Sequence, residues 1–172
     1  MAAFRTLYCG KFLEFVVSGT WEFVRRPHQA DPVGIVAVTA DRRLVLIAQY
    51  RIPLGKICVE IPAGLAGDGD TPESWKAAAI RELREETGYA AQDMEYLTRG
   101  PTSAGLTSEC VTLARAMGLS KAGEPQPDAE EEIQVHEVPV EEVPAFLRAQ
   151  EAAGRLIDPK IYAALYFVGG GR

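Results

Sequence analysis

Residues able to do chemistry concentrate between Trp75 and Gly88. Trp75, Ala78, Ala79, Glu82 and Glu86 fall at i, i+3, i+4, i+7 and i+11, which places them on one face of a helix. That face starts apolar and turns acidic. Glu85 lies beside it, so the three carboxylates crowd into the last turns, where the helix dipole disfavours negative charge. Helix stability alone does not select such a placement. Taken by itself, Arg-Glu-Leu-Arg-Glu-Glu also fits an ordinary solvated, charge-rich helix. Extending a core-facing stripe with carboxylates is costly unless a cation compensates them, however. Hard oxygen donors of this kind suit Mg²⁺, with Mn²⁺ as a substitute, rather than zinc.

The elements around that helix can be read from pattern. Asp70-Thr71-Pro72-Glu73 supplies a cap, a proline and an early acid, and Gly88 a stop, which predicts a helix over 72–87. Upstream, Phe4 to Tyr8, Phe12 to Val17 and Trp21 to Arg25 read as short strands broken by Gly10 and Ser18-Gly19-Thr20. Val33 to Thr39, Leu44 to Tyr50 and Ile57 to Ile61 are apolar runs of the kind buried on both faces of a sheet. Downstream, Met94 to Leu97, Glu109 to Arg115 and Ile133 to Glu137 are strand candidates, and Lys121 to Asp128 is a polar loop. A helix over Glu141 to Ala153 and another opened by Asp158-Pro159 complete the chain.

Bulk properties narrow the function classes. The 172 residues, 47% of them hydrophobic, suffice for one complete core. A net charge of -6 argues against a nucleic-acid-binding surface, which needs basic patches to displace counterions. No apolar run reaches the roughly 20 residues of a membrane span, and no basic-then-apolar leader opens the chain, so a soluble cytoplasmic protein is expected. Cys9, Cys58 and Cys110 are odd in number and lack metal-site spacing, and read as reduced core residues.

Gly67, Glu73, Arg81-Glu82-Leu83, Glu85-Glu86 and Gly88 reproduce the Nudix box GX5EX7REUXEEXGU, with only Tyr89 departing from the aliphatic expected last. So many fixed positions make the resemblance to Nudix hydrolases specific. It implies an α/β fold, an α/β/α sandwich around a mixed sheet with a loop-helix-loop metal site, preceded by an N-terminal antiparallel strand segment. Residues 1–30 form that segment and 31–172 the hydrolase domain in this reading. The resemblance implies that Glu82 and Glu86 bind metal most directly, that Glu85 shares the task, that Arg81 orients them, and that Gly67 and Gly88 serve backbone geometry. Glu73 belongs to the same structural frame of the motif.

A narrower resemblance covers nearly the whole chain. Gln49-Tyr50-Arg51, Glu60-Ile61-Pro62-Ala63-Gly64 and Asp158-Pro159-Lys160-Ile161-Tyr162 look like the ADP-ribose and ADP-sugar pyrophosphatase branch. There the residue matching Arg51 contacts phosphate, which suits a guanidinium fork, and the carbonyl matching Ala63 joins the metal shell. Gly10-Lys11-Phe12 and Trp21 to Arg26 are similar to segments that clamp adenine between rings, with Phe12 in place of a tryptophan. Trp21 is assigned to ring stacking, Phe12 to stacking or core packing, Glu22 to an adenine amine, and Arg26 to phosphate or ribose. Ser103-Ala104-Gly105 stands where the branch carries a Ser-Pro-Gly-like turn, so Ser103 is a substrate-side candidate and the proline is missing.

The expected reaction is metal-assisted hydrolysis of ADP-ribose to AMP and ribose 5-phosphate by a homodimer whose N-terminal strands complete the partner's site. The resemblance places the base in the stretch Asp128 to Glu132, with Glu131 the best match and Glu130 in reserve, since Ala129 stands where some bacterial members carry a glutamate. The alternatives are a Nudix hydrolase for GDP-mannose, a dinucleoside polyphosphate or a damaged nucleoside triphosphate, and a non-enzymatic nucleotide-sensing domain.

Overall fold

The computed structural model describes residues 4–27, 32–65, 73–126 and 132–171. The chain begins with strands β1 (Arg5–Cys9), β2 (Glu14–Ser18) and β3 (Trp21–Arg25), an antiparallel sheet in that order. Next come β4 (Pro32–Val36), β5 (Arg43–Arg51), β6 (Lys56–Glu60), β7 (Ala63–Leu65) and helix α1 (Trp75–Thr87). Strands β8 (Tyr89–Ala90), β9 (Asp93–Pro101), β10 (Cys110–Met117), β11 (Ser120–Lys121) and β12 (Ile133–Pro139) follow. Helix α2 (Val143–Ala152), β13 (Leu156–Ile157) and helix α3 (Lys160–Val168) close the fold.

Two mixed sheets form the centre, one ordered β7-β4-β10-β9 with β4 and β10 parallel, the other β12-β5-β6-β13 with β6 and β13 parallel. Their apolar runs are buried from both sides, as such runs require. On β5, Leu44, Leu46 and Ala48 belong to the core that contains Val143 and Leu147 of α2 and Ile161 and Phe167 of α3. Val45 belongs to the second core, with Ala79 and Leu83 of α1. Alternate side chains of one strand thus meet different helices, which is the α/β/α sandwich. On β10 the same alternation holds: Val111 and Leu113 join the first core, Ala114 and Ala116 the second.

Helix α1 starts later than the sequence pattern predicts. Its cap is Ser74, in extended conformation, whose side chain accepts from the Ala77 N–H; the Asp70 to Pro72 signal lies outside the described residues. The predicted stop holds, because Gly88 takes φ 72° and donates its N–H to the Arg84 carbonyl. The cysteine expectation is corrected in part. Cys58 is buried, Cys110 half-buried and Cys9 exposed, all three free thiols. Strand β1 is exposed along its whole length, so a cysteine there has no core to enter. No described helix is long and apolar enough to cross a membrane.

Candidate active site

The acidic end of α1 lies against strand β7. The Ala63 N–H donates to Glu86 Oε2 at 3.0 Å, and Glu86 is only 4% exposed. A Cβ on Gly64 would collide with the Glu82 side chain, so only a glycine lets the β7 backbone approach that carboxylate. Ala63 is itself half-buried and pairs with Gly34 of β4. The two glutamates singled out as metal ligands therefore sit beside the residue whose carbonyl the sequence reading adds to them.

Arg81 gathers the remaining acids. It pairs with Glu85 at 2.8 Å, with Glu82 at 3.2 Å and with Glu73 at 3.2 Å. The hydrogen bonds to Glu73 come first among the causes that raise its pKa further above the ordinary arginine value. Among the described residues no group of three or more His, Cys, Asp or Glu converges ready-made on a metal position. The donor chemistry nonetheless fits a hard divalent cation. The available oxygens are carboxylates, Glu82 and Glu86 are largely shielded from water, and they crowd the negative end of a helix. Arg81 pairs with Glu82, and the Ala63 N–H donates to Glu86.

Arg51, at the end of β5, is clamped by Glu60 of β6. Its Nε donates to one carboxylate oxygen at 2.7 Å and a terminal nitrogen to the other at 2.8 Å. Glu60 is only 5% exposed, so this fork satisfies a buried charge. Its bond to Glu60 raises the Arg51 pKa, with a smaller contribution from the charge of Glu86, which puts the guanidinium within electrostatic reach of the acidic helix end. Burial, then the Glu60 charge, pushes the Cys58 thiol up to about 12.

The N-terminal sheet docks on the segment after β9. The Val24 N–H donates to the Leu106 carbonyl at 2.9 Å and the Ser108 N–H to the Val24 carbonyl at 3.2 Å. Trp21, 63% exposed, lines a cleft of about 450 Å³ together with Phe4, Phe23, Ala104, Gly105 and Ser108. Ser103 is exposed and turns the chain there, its carbonyl accepting the Leu106 and Thr107 N–H groups at 3.0 Å. Phe12 does not join this cleft. It is 66% exposed beneath the Lys11 ammonium, 4.8 Å from the ring centroid, so core packing within the chain is excluded. Glu22 is exposed, and Arg26 is engaged with Glu109 at 2.9 Å. Gly67, Glu130 and Glu131 lie outside the described residues.

Some participants were not assigned from sequence. Glu60 and Gly64 belong to the Glu60 to Gly64 motif without a role that the sequence itself shows, and only the fold has them holding Arg51 and admitting Glu82. Lys121 and Gln126 carried no signal beyond a polar loop. The Gln126 N–H donates to the Glu85 carbonyl at 2.7 Å, and the Ala122 N–H to the Gly88 carbonyl at 2.8 Å.

An α/β/α sandwich with mixed sheets, whose helix α1 turns its glutamates toward a short strand, is the Nudix fold. The NUDIX domain family model matches residues 28–164, and the chain belongs to that family and is a Nudix hydrolase. It is 35% identical over 148 residues to a methanol dehydrogenase activator of Bacillus methanolicus, covering 86% of this chain and 75% of that protein. Identity is 36% to an ADP-ribose pyrophosphatase of Bacillus subtilis, covering 76% and 68% of the two chains. An ADP-sugar pyrophosphatase of Mus musculus is 35% identical, covering 84% and 71%. The crystal structure of an ADP compounds hydrolase has the same fold, with a TM-score of 0.73 at 24% identity over 98% of this chain and 90% of that one.

Proposed function

We propose that the chain hydrolyses the pyrophosphate bond of ADP-ribose or a similar ADP-sugar, releasing AMP and a sugar phosphate, with Mg²⁺ as the usual ion. The observation that carries the proposal is the placement of Glu82 and Glu86, shielded at the negative end of α1, against Gly64 and the Ala63 N–H. Relatives named for ADP-ribose and ADP-sugar hydrolysis, matched over more than two thirds of each chain, support the substrate class.

Glu82, Glu85, Glu86 and the Ala63 carbonyl would hold the ion, which when bound neutralises charge on the diphosphate and lowers the barrier to attack by water. Arg81 bridges Glu82 and Glu85 and offsets their mutual repulsion. Arg51, held by Glu60, presents a fixed, partly exposed cation suited to a phosphate oxygen. Trp21 offers an exposed π face in a cleft bounded by Ala104 and Gly105, where a base can stack. Glu131, or Glu130 in reserve, takes the proton from the attacking water. We assign the protein to the cytoplasm and to a homodimer in which the strands of residues 1–30 complete the partner's site.

The test is a substrate panel with Mg²⁺ and product identification, comparing ADP-ribose with GDP-mannose, a dinucleoside polyphosphate and oxidised nucleoside triphosphates. AMP plus ribose 5-phosphate from ADP-ribose at the highest kcat/KM is the expected result. A clear preference for any of the others would overturn the substrate assignment.

A further inference from the structure

Four polar contacts tie the C-terminal end of α1 to the segment 121–126. The Lys121 ammonium donates to the Thr87 carbonyl at 3.3 Å. The Ala122 and Gly123 N–H groups donate to the Gly88 carbonyl at 2.8 and 3.2 Å, and the Gln126 N–H to the Glu85 carbonyl at 2.7 Å. Carbonyls in the last turn of a helix have no partner within it. Here the partners come from a segment more than thirty residues on, so the helix end is fixed by tertiary structure. The approach is close: a Cβ on Gly88 would collide with the Gly123 carbonyl, which adds a steric reason to the φ of 72° for glycine there.

Lys121 is in turn held on two other sides. Its ammonium lies 4.3 Å from the centroid of the Tyr89 ring and 3.4 Å from Glu137 of β12. Tyr89 is only 7% exposed. Its ring is therefore a rigid platform, and an aliphatic side chain, which the Nudix box pattern carries at this position, has no π face to offer a cation. Burial and then the neighbouring Glu137 carboxylate push the Tyr89 hydroxyl up to about 12. The segment that clamps the helix also forms one side of a cleft of about 590 Å³ whose other side includes Arg81 and Glu85. One short stretch of chain thus fixes the helix end and walls a space that Glu85 lines.

We propose that Lys121, seated on Tyr89 and Glu137, is a positioning residue that holds the last turn of α1, and with it Glu85 and Glu86, in the geometry that binds the divalent ion. The inference rests on the metal-binding reading of those glutamates. A positive charge at the helix C-terminus also offsets the negative potential that the helix dipole and the carboxylates build there. Lys121 acts through the backbone of Thr87 and touches neither the ion nor the substrate.

Mn²⁺ titration of the metal-free enzyme, followed by electron paramagnetic resonance, tests this beside steady-state kinetics with ADP-ribose. The variants are Lys121→Met, Lys121→Arg, Tyr89→Leu, the double Tyr89→Leu/Lys121→Met, and Glu86→Gln as control. Lys121→Met should weaken Mn²⁺ binding about tenfold, the lower end for outer-shell partners of metal ligands, and lower kcat with little change in KM for ADP-ribose. Lys121→Arg should recover most of both. The double variant should be no worse than the poorer single one, because Tyr89 acts through Lys121. A lower melting temperature with unchanged Mn²⁺ affinity in Lys121→Met, or strictly additive losses in the double variant, would overturn the proposal. Should Lys121→Met not fold, the Tyr89→Leu titration decides alone, with unchanged Mn²⁺ affinity counting against it. Wild-type protein that binds Mn²⁺ no better than Glu86→Gln would remove the metal site itself, and this inference with it.

Discussion

The Ala63 backbone N–H and the Glu86 carboxylate are joined at 3.0 Å, which fixes the acidic helix to the short strand β7. The bond gives a shielded carboxylate a backbone donor, beside a residue whose carbonyl is assigned to the ion. Glutamine preserves the volume of glutamate and an oxygen to accept that N–H, but removes the charge. Glu86→Gln and Glu82→Gln are each expected to lower turnover by at least about 10²-fold, the scale of losing a main electrostatic contact to the transition state. Melting temperatures should hold or rise, since a like-charge cluster is relieved. Wild-type-like rates at saturating Mg²⁺ in either variant would sink the metal-site assignment.

Arg51 and Glu60 form a forked pair in which only the arginine reaches water, so its removal strands a buried carboxylate. Arg51→Met should cost about 1–3 kcal/mol in denaturant unfolding, the range for leaving a buried polar group unpartnered. Lysine cannot make both bonds of the fork. Arg51→Lys should therefore raise KM for ADP-ribose and lose part of that stability. A variant with unchanged KM would show that Arg51 serves only Glu60.

Much of this was legible in the sequence, for reasons that differ by element. The helix with Glu82 and Glu86 announces itself through a period of 3.6 and the fixed spacing of its box, and β5 through an unbroken apolar run. The start of α1 was misplaced because Asp70 and Ser74 are both good caps, and only the folded geometry shows which one the helix uses. The ladder of Tyr89 and Ala90 with Ser120 and Lys121 is too short for any period to reveal. The resemblance and the guanidinium fork mark Arg51 as a phosphate contact, whereas its bond to Glu60 is a relation between two strands that no linear pattern encodes.

The N-terminal sheet and its connections leave Phe4, Leu7, Tyr8, Phe12, Leu13 and Trp21 exposed, more apolar surface than one short sheet ordinarily presents to water. The proposed homodimer covers that surface. Light scattering at working concentration should give twice the chain mass. Full activity in a solution that contains only monomer would refute the shared site.

His136 gives a pH dependence of known sign. Its ring packs against Phe146 with centroids 5.1 Å apart, and its Nε2 is buried with no hydrogen-bond partner among the described residues. Burial, then the charge of Arg155, lowers its pKa below the ordinary 6.5. The fold therefore favours the neutral ring, and the unfolded chain takes up the proton first as the pH falls. This contribution to stability is complete above 6.5 and declines as the pH drops from there toward the lowered folded-state value. Between about pH 7.5 and about pH 5.5 the melting temperature of His136→Leu should fall less than that of the wild type. Equal falls would show that the ring is accommodated in either charge state.

The last prediction concerns the base. Glu130 and Glu131 follow the segment that ends at Gln126, whose N–H is bonded to the Glu85 carbonyl, so the chain leaves for that acidic stretch from a point fixed to helix α1. An acidic run of this kind is ordinarily a solvated loop. Its alignment ahead of Ile133-Gln134-Val135, the start of β12, favours Glu131 over Glu130. Proton abstraction belongs to the transition state, so Glu131→Gln should depress kcat far more than it changes KM. Higher pH should partly restore the rate by supplying hydroxide, a recovery that a mere loop charge does not require. Glu130→Gln, measured beside it across the same pH range, should keep most of its activity. If both variants retain near wild-type kcat at neutral pH, no loop carboxylate takes the proton, and attack must proceed without a side-chain base from this stretch.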